Sequence, residues 1–235
     1  MNLVFLILGS ALASFALCYY ERRAKETSII SPPSSCDFCH KKLKPIDLIP
    51  IISYLALRGR CRSCGKKIGP IKFYYEVVGG LLGIISFCTF KDIRAIFILI
   101  SLVISLNIVT SDLKSLEIYE EDLIGLAIVG LFYRIFFLSF SFDFFRFALG
   151  FALGFLILKF ISKGSIGDGD LFFYEALFLF LEARLIPSFF LYSIWIGGFL
   201  AVIIAIKNRS LKGTLAFCPP IFLAFICCLL VGRIL

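Results

Sequence analysis

Charge is scarce in this 235-residue chain, and histidine and methionine are nearly absent, with one of each. Only 17% of the residues are Asp, Glu, Lys or Arg, whereas 60% are hydrophobic, including 28 Phe. A soluble domain of this length could not bury so much apolar material. The composition therefore excludes a soluble globular protein and predicts an all-α integral membrane protein.

Long apolar runs occur along the whole chain. A run of roughly 17 to 20 residues is long enough to cross a hydrocarbon core about 30 Å thick as a helix. We therefore expect about eight transmembrane helices, or seven if the two runs around Pro187 form one span. The eight runs are 2–19, 73–90, 95–111, 123–140, 144–162, 171–186, 187–206 and 213–232.

The first apolar run lacks a basic residue before it, whereas Arg22, Arg23 and Lys25 follow it. A secretory signal peptide carries its positive charge ahead of the apolar stretch. We therefore expect an uncleaved first span, with its N-terminus outside the cell.

Net charge is missing from most of the chain. Residues 21–72 contain 12 Lys or Arg and 4 Asp or Glu, a balance of +8 that equals the formal net charge of the whole protein. Loops rich in Lys and Arg stay in the cytoplasm, so this segment is predicted to be a cytoplasmic loop. We expect it to touch anionic lipid headgroups and not nucleic acid, since it is tethered to the bilayer. The chain then divides into a first helix, 1–20, this loop, and a polytopic domain, 73–235.

Four cysteines in the basic loop form two Cys-x-x-Cys pairs, CDFC and CRSC, with 21 residues between them. In each pair the two thiolates can reach one ion at about 2.3 Å, so together the pairs predict a zinc-ribbon-like loop around one tetrahedral zinc. The basic residues and glycine after CRSC lower the thiol pKa and supply a tight turn. The predicted ligands are Cys36, Cys39, Cys61 and Cys64.

Other chemistries use the same cysteine pattern. CDFCH is a haem-attachment motif, but covalent haem is assembled outside the cytoplasm. His40 is also the only histidine and Met1 the only methionine, so a second axial ligand is missing. A membrane thiol oxidoreductase with two exchanging dithiols is an open alternative. The remaining cysteines lie in apolar runs, where cysteine usually acts as a small hydrophobe; they are Cys18, Cys88, Cys218, Cys227 and Cys228.

Two acidic residues flank apolar runs on the same predicted side of the membrane. Asp112 lies at the cytoplasmic end of the third run, and Asp170 lies just before the sixth, in KGSIGDGD. An even number of spans separates them, so the two carboxyl groups can meet. Such a pair holds one proton between its members. One member can then activate water while the other protonates a peptide carbonyl.

Simpler roles are open for the same acids. Asp112 alone could cap a helix, and the glycine-aspartate loop could bind a cation. Gly167 and Gly169 let backbone approach a substrate closely, and Asp168 between them is either a third active-site carboxylate or an exposed loop residue. Glu175 lies about one turn into the sixth run, where an acid is costly and indicates a protein-facing or watery environment.

Together these motifs resemble those of the type IV prepilin peptidase family, which are GxGD aspartic membrane proteases. The similarity covers nearly the whole chain in order: an apolar first span, CDFC, DLIPIISYLALRGRCRSCGKKIG, YYE, Asp112 and the GDGD motif ending at Asp170. It implies a multi-pass aspartic endopeptidase of the bacterial cytoplasmic membrane, with an active site facing the cytoplasm. Asp112 and Asp170 match the catalytic pair, and residues 73–235 match the membrane peptidase domain.

The resemblance also implies substrates and cofactors. Enzymes of this family remove the basic leader of type IV prepilins or pseudopilins, and members with the four-cysteine loop commonly N-methylate the new amino terminus. Zinc and S-adenosylmethionine are therefore the expected cofactors. For methyl transfer the candidates are Gly59 and Arg60, which precede Cys61, together with Glu76.

The chain departs from the family pattern at three places. Phe172 stands where many members have lysine, no proline follows Asp112, and Asp47 replaces a glutamate. These differences leave the tuning of the aspartate pair and the retention of methyl transfer open, and a non-enzymatic zinc-ribbon adaptor or ion-conducting protein is a further alternative. Four acids after Asp112 are expected to attract a basic leader: Glu117, Glu120, Glu121 and Asp122.

Overall fold

The structure, a computed structural model, describes the chain in four ranges: 1–28, 34–161, 167–208 and 215–232. Within them the backbone is helical, apart from two isolated β-bridges. The predicted all-α class is thereby confirmed. The chain divides into two compact units, residues 1–103 and 104–235, and each is described by itself.

Nine α-helices occur in the described ranges, together with 3₁₀ helices at Pro45–Leu48 and Ala183–Leu185. All of the α-helices except the five-residue α2 overlap the predicted apolar runs. They are α1 (Asn2–Ala24), α2 (Ile52–Ala56), α3 (Pro70–Thr89), α4 (Arg94–Ser115), α5 (Glu120–Phe137), α6 (Phe142–Ile161), α7 (Asp168–Phe178), α8 (Ile186–Asn208) and α9 (Cys218–Val231).

Five helical segments of the described chain are long and apolar enough to cross a membrane. A multi-pass membrane protein is confirmed, but the expected count of eight spans is not. α9 has 14 residues, and α7 has 11, which makes α7 only about 16 Å long. The five segments are Asn2–Ala24, Pro70–Thr89, Arg94–Ser115, Phe142–Ile161 and Ala183–Lys207.

In the first unit, α1 packs closely against α3 through small residues. Gly9 and Ala13 of α1 lie against Gly79 of α3, where an added side chain would overlap the Ala13 methyl group. Helices in lipid associate through such contacts, because small residues let the two backbones approach and pack closely. This pair of helices brackets residues 25–69, which carry both cysteine pairs.

In the second unit, aromatic rings surround α7. The ring of Phe151 in α6 lies 4.8 Å from that of Tyr174 and 5.1 Å from that of Phe178, both in α7. The Tyr174 ring also lies 5.4 Å from that of Phe189 in α8. Tilted and edge-on ring contacts of this kind add to the burial energy of each pair. They hold the short helix α7 between α6 and α8.

Candidate active site and metal centre

The four predicted metal ligands meet at one point in the first unit. Their sulfur atoms all lie within 4.8 Å of one another, and the Cys36 and Cys64 sulfurs are 3.9 Å apart. Tetrahedral bonds of about 2.3 Å would place two sulfurs about 3.8 Å apart. The cluster could therefore hold a metal ion such as zinc, and this convergence favours a single metal over two separate dithiols.

The two cysteine pairs have the same local backbone, which aims their sulfurs inward. The Phe38 N–H donates to the Cys36 sulfur at 3.5 Å, and the Ser63 N–H donates to the Cys61 sulfur at 3.4 Å. Backbone N–H groups of Cys39 and Phe38 lower the pKa of the Cys36 thiol to about 6. The Cys36 thiolate, which is the form that binds metal, is thereby favoured at neutral pH.

His40 has a backbone role in the first pair. Its N–H donates to the carbonyl oxygen of Cys36 at 2.9 Å, as the N–H of Gly65 does to Cys61 at the same distance. Both residues have a positive φ, 53° and 68°. The histidine of CDFCH thus closes the same turn as a glycine in the second pair, and a haem motif is not needed to explain it.

Glu76, a methyl-transfer candidate, anchors a strained turn. One carboxylate oxygen accepts the Ser14 hydroxyl at 2.8 Å, and the other accepts the Ile51 N–H at 2.7 Å. Ile51 has φ 62° and ψ −53°, and the Ile52 N–H reaches the Pro50 carbonyl at 2.6 Å. This is a γ-turn of the rare, strained hand, unusual for a β-branched residue. Strain of this kind persists only where surrounding contacts hold it, and it clusters at functional sites.

Gly59, a second candidate, lies beyond the other end of α2. Its φ is +65°, and an added Cβ would lie 2.8 Å from the ring of Tyr54. That ring is itself stacked on Phe73 of α3, with centroids 4.8 Å apart. Only glycine fits this position without strain. Arg60, the third candidate, is exposed.

A cavity of about 590 Å³ lies beside these residues. It is lined by α1, α3, α2 and the segments next to the cysteine pairs, and Glu76 and Tyr54 both face it. Asp47, where the family pattern has glutamate, also lines the cavity and forms an ion pair of 2.8 Å with Arg62. Asp47, the shorter acid, thus links the Pro45–Leu48 turn to the second cysteine pair through this ion pair.

Asp112 and Asp170 converge on one residue in the second unit. Asp112, only 7% exposed, lies in the last turn of α4, and its Oδ2 accepts the Cys218 N–H at 2.9 Å. Asp170, in the first turn of α7, has its Oδ1 3.7 Å from the Cys218 sulfur. Three helices far apart in sequence therefore contribute to one acidic site.

The glycine-aspartate motif differs from the loop that the sequence suggested. Gly167 caps α7, and Asp168 and Gly169 already lie in its first turn, where acidic side chains are favoured by the helix dipole. Asp168 is exposed and forms an ion pair with Lys159. A side chain at Gly169 would overlap Ile118, so glycine allows the start of α7 to approach the segment after α4.

Cys218 is the site residue that sequence reasoning missed. We expected it to be a small hydrophobe, but it is fully buried and contacts both aspartates. The expectation fails because the shorter of its two polar contacts is made by the backbone N–H, which residue type does not reveal. The available signal was Pro219 and Pro220, which mark a helix start at Cys218.

Arg134 is a second missed residue. It lies in α5, is 1% exposed, and donates to the carbonyl oxygens of Phe178 at 3.2 Å and Leu181 at 2.9 Å. Its guanidinium also lies 3.6 Å from the ring centroid of Phe144. Carbonyls at a helix end have no partner within the helix, and Arg134 supplies donors where α7 stops, in addition to the Leu181 N–H that Phe178 accepts at 3.1 Å. A charge inside an apolar run was the signal for this role.

The remaining acids divide by exposure. Glu175 is half-buried, with one carboxylate oxygen fully enclosed and unpaired within the described ranges, in line with the protein-facing environment that we expected. Of the four acids thought to attract a leader, Asp122 is buried, and only Glu117, Glu120 and Glu121 are exposed.

Comparison with known proteins assigns both parts of the chain. Residues 7–90 match the bacterial peptidase A24 N-terminal domain, and residues 95–202 match the type IV leader peptidase family. The protein named prepilin leader peptidase/N-methyltransferase in Bacillus subtilis is 30% identical over 93% of this chain and 89% of its own length. Proteins of the same name in Myxococcus xanthus and Vibrio cholerae are 28% and 26% identical, over 86% and 70% of this chain and 62% and 68% of their own lengths. No solved structure matches.

Fold, site and comparisons together define a membrane-embedded aspartic peptidase. More narrowly, the chain belongs to the type IV prepilin leader peptidase family.

Proposed function

We propose that this protein cleaves the basic leader from type IV prepilins or pseudopilins at the cytoplasmic face of the bacterial plasma membrane, using Asp112 and Asp170. The observation that carries the proposal is the convergence of both carboxyl groups on Cys218. Two carboxyl groups held together in a partly buried site do not both ionise readily, so the pair retains one proton.

The reaction follows from that protonation state. The ionised carboxylate takes a proton from a water molecule while the water oxygen bonds to the carbonyl carbon of the scissile peptide. The protonated carboxyl gives its proton to the carbonyl oxygen, which forms a neutral diol. When the C–N bond breaks, the departing nitrogen receives a proton from one carboxyl, and a diol hydroxyl returns its proton to the other. Both groups are restored, and no covalent intermediate with the enzyme forms.

The position of the pair suits such a substrate. A prepilin presents a basic leader in water and a hydrophobic helix in the bilayer, so the bond between them lies near the interface. Asp112 lies in the last turn of the apolar helix α4, and Asp170 lies in the first turn of α7. The exposed acids Glu117, Glu120 and Glu121 complement the charge of a basic leader.

A second activity, N-methylation of the new amino terminus, belongs to the first unit in this proposal. S-adenosylmethionine would supply a methyl group carried on a cationic sulfur, and the 590 Å³ cavity offers Glu76 and Asp47 to that charge and Tyr54 and Phe73 to its purine ring. Glu76 would hold the turn at Ile51, and Gly59 would leave room for the Tyr54 ring. Zinc would be held by the four cysteine thiolates, in a structural role.

The cleavage test uses membranes that contain wild-type protein, Asp112→Asn or Asp170→Asn, incubated with a prepilin that has a Gly-Phe junction. Leader removal should be lost in both variants, because each removes a proton-transfer group. Asp143→Asn is the matched control, since Asp143 is an exposed acid ion-paired with Arg146. Leader removal that persists in both active-site variants would refute the two-aspartate mechanism.

Methyl transfer is tested in the same reactions by the mass of the cleaved product. A product heavier by one methyl group in the presence of S-adenosylmethionine supports the second activity. A cleaved product that never gains this mass restricts the protein to peptidase activity.

A further inference from the structure

Cys218 offers the two aspartates hydrogen-bond donors of different strength. It gives Asp112 a backbone N–H at 2.9 Å, which is a strong donor at an ordinary hydrogen-bond distance. It gives Asp170 only a thiol at 3.7 Å, and a thiol is a weak donor. The negative charge of the pair is therefore better stabilised on Asp112.

The start of α9 sharpens this difference. Cys218 is the first residue of the 14-residue helix α9, and Pro219 and Pro220 follow it. Proline has no N–H, so the first three residues of the helix offer a single donor, and that donor points at Asp112. The partial positive charge of a helix N-terminus favours an anion at the same place.

Two ionisable groups near the pair are engaged with other partners. The buried Tyr174 hydroxyl of α7 is hydrogen-bonded to Ser193 of α8, and Asp168 is ion-paired with Lys159 of α6. The further charged groups on α4, α5 and the segment joining them, and on α7, are Lys114, Glu117, Glu120, Glu121, Asp122, Arg134 and Glu175.

We propose that Cys218 sets the protonation order of the pair, so that Asp112 is the ionised base and Asp170 carries the proton. This inference rests on the two-aspartate peptidase proposed above. Asp112 takes the proton from water, and Asp170 protonates the carbonyl oxygen. When the C–N bond breaks, Asp112 passes its new proton to the nitrogen, and Asp170 recovers one from the diol. Cys218 is thus a positioning residue that acts through its backbone amide.

The test separates the N–H from the side chain. Cys218→Ala keeps the backbone N–H and serves as the reference. The matched variant places lactic acid, the hydroxy analogue of alanine, at position 218 by cell-free synthesis into lipid nanodiscs, which replaces that N–H with an ester oxygen. Leader cleavage is then followed as kcat/KM against pH.

Loss of the N–H should shift the acidic limb of the ester variant upward by about one pH unit relative to Cys218→Ala, because a hydrogen bond to a charged group contributes on the order of one pKa unit or more. Below this limb, the cleavage rate at a given pH should therefore fall about tenfold. An acidic limb that coincides in the two proteins would overturn the inference while leaving the peptidase function intact.

Infrared spectroscopy supplies a readout that does not depend on activity or on the ester variant. A ¹³C label in the side-chain carboxyl of Asp170, introduced by the same cell-free route, should shift the C=O band of the protonated carboxyl at neutral pH, and the same label in Asp112 should leave that band unchanged. The opposite pattern would show that Asp112 carries the proton and would refute the assigned order. If wild type does not cleave prepilin, the proposed function fails, and the infrared result still decides the protonation order.

Discussion

Gly59→Ala should separate methyl transfer from peptide cleavage. Gly59 has φ +65°, and a left-handed backbone costs an alanine roughly 1–2 kcal/mol. The new Cβ would also lie 2.8 Å from the Tyr54 ring, well inside the 3.5–4.0 Å of an ordinary carbon contact. Tyr54 cannot move freely, because it is stacked on Phe73. Overpacking adds about 1 kcal/mol or more, so we expect a total cost of about 2–3 kcal/mol.

Gly65→Ala provides a matched control within the same chain. Gly65 has nearly the same φ, +68°, but nothing lies within 4 Å of its added Cβ. Gly65→Ala therefore has the free-energy cost of the left-handed backbone without the overlap with the Tyr54 ring. The difference between the two variants isolates the contact between Gly59 and the Tyr54 ring.

The assay measures both reactions on one prepilin by mass spectrometry of the product. Gly59→Ala should lower the methylation rate at least tenfold and leave the rate of leader cleavage within about twofold, since Asp112 and Asp170 belong to the other unit. Gly65→Ala should lower methylation clearly less. Equal losses of methylation in the two variants would refute the steric argument, and a parallel loss of cleavage would refute the assignment of methyl transfer to the first unit.

Three further predictions follow from the two sites. Purified protein should contain one zinc ion per chain, measured by atomic emission. Cys61→Ser should lose the zinc, whereas Cys88→Ser should keep it. Zinc retained in both variants would exclude the four-cysteine centre. Arg134→Met should reduce leader cleavage about tenfold and lower stability by roughly 2–4 kcal/mol in denaturant titrations, because the carbonyls that end α7 lose their donor; the exposed-site variant Arg146→Met should do neither. The last prediction concerns the three exposed acids Glu117, Glu120 and Glu121. Neutralising them should raise KM for a prepilin with a basic leader at low salt and leave KM unchanged at high salt. An unchanged KM at low salt would contradict their role in attracting the leader.

The features that the sequence predicted well depend on the spacing of residues close together in the chain or on the number of apolar runs. Two Cys-x-x-Cys pairs were enough to predict a metal cluster, because the spacing within each pair decides which way its sulfurs point. Asp112 and Asp170 were expected on one side because an even number of apolar runs separates them, and both lie at Cys218 in the structure.

Helix ends in the second half of the chain were harder to predict. The apolar sequence continues past Phe178, so hydrophobicity alone predicted one long span where the structure has an 11-residue helix. Arg134 donates to the Phe178 and Leu181 carbonyl oxygens where α7 ends, which stabilises that helix end. The end of α7 thus involves a long-range contact, which apolar run lengths do not contain.

By itself, then, the sequence determined that this is a helical membrane protein, that its four loop cysteines suit one metal ion, and which aspartates are candidates for catalysis. These conclusions rest on composition, on short spacings and on the even number of apolar runs between the aspartates, which are properties of the chain alone. Only the tertiary structure decided that the backbone of Cys218 contacts Asp112, that Glu76 holds a strained turn at Ile51, and that Tyr54 leaves room for nothing larger than glycine at residue 59. Each of these depends on which helices pack together. For helices that are apolar on every side, close packing and single polar contacts decide which helices are neighbours, and a local sequence pattern predicts neither.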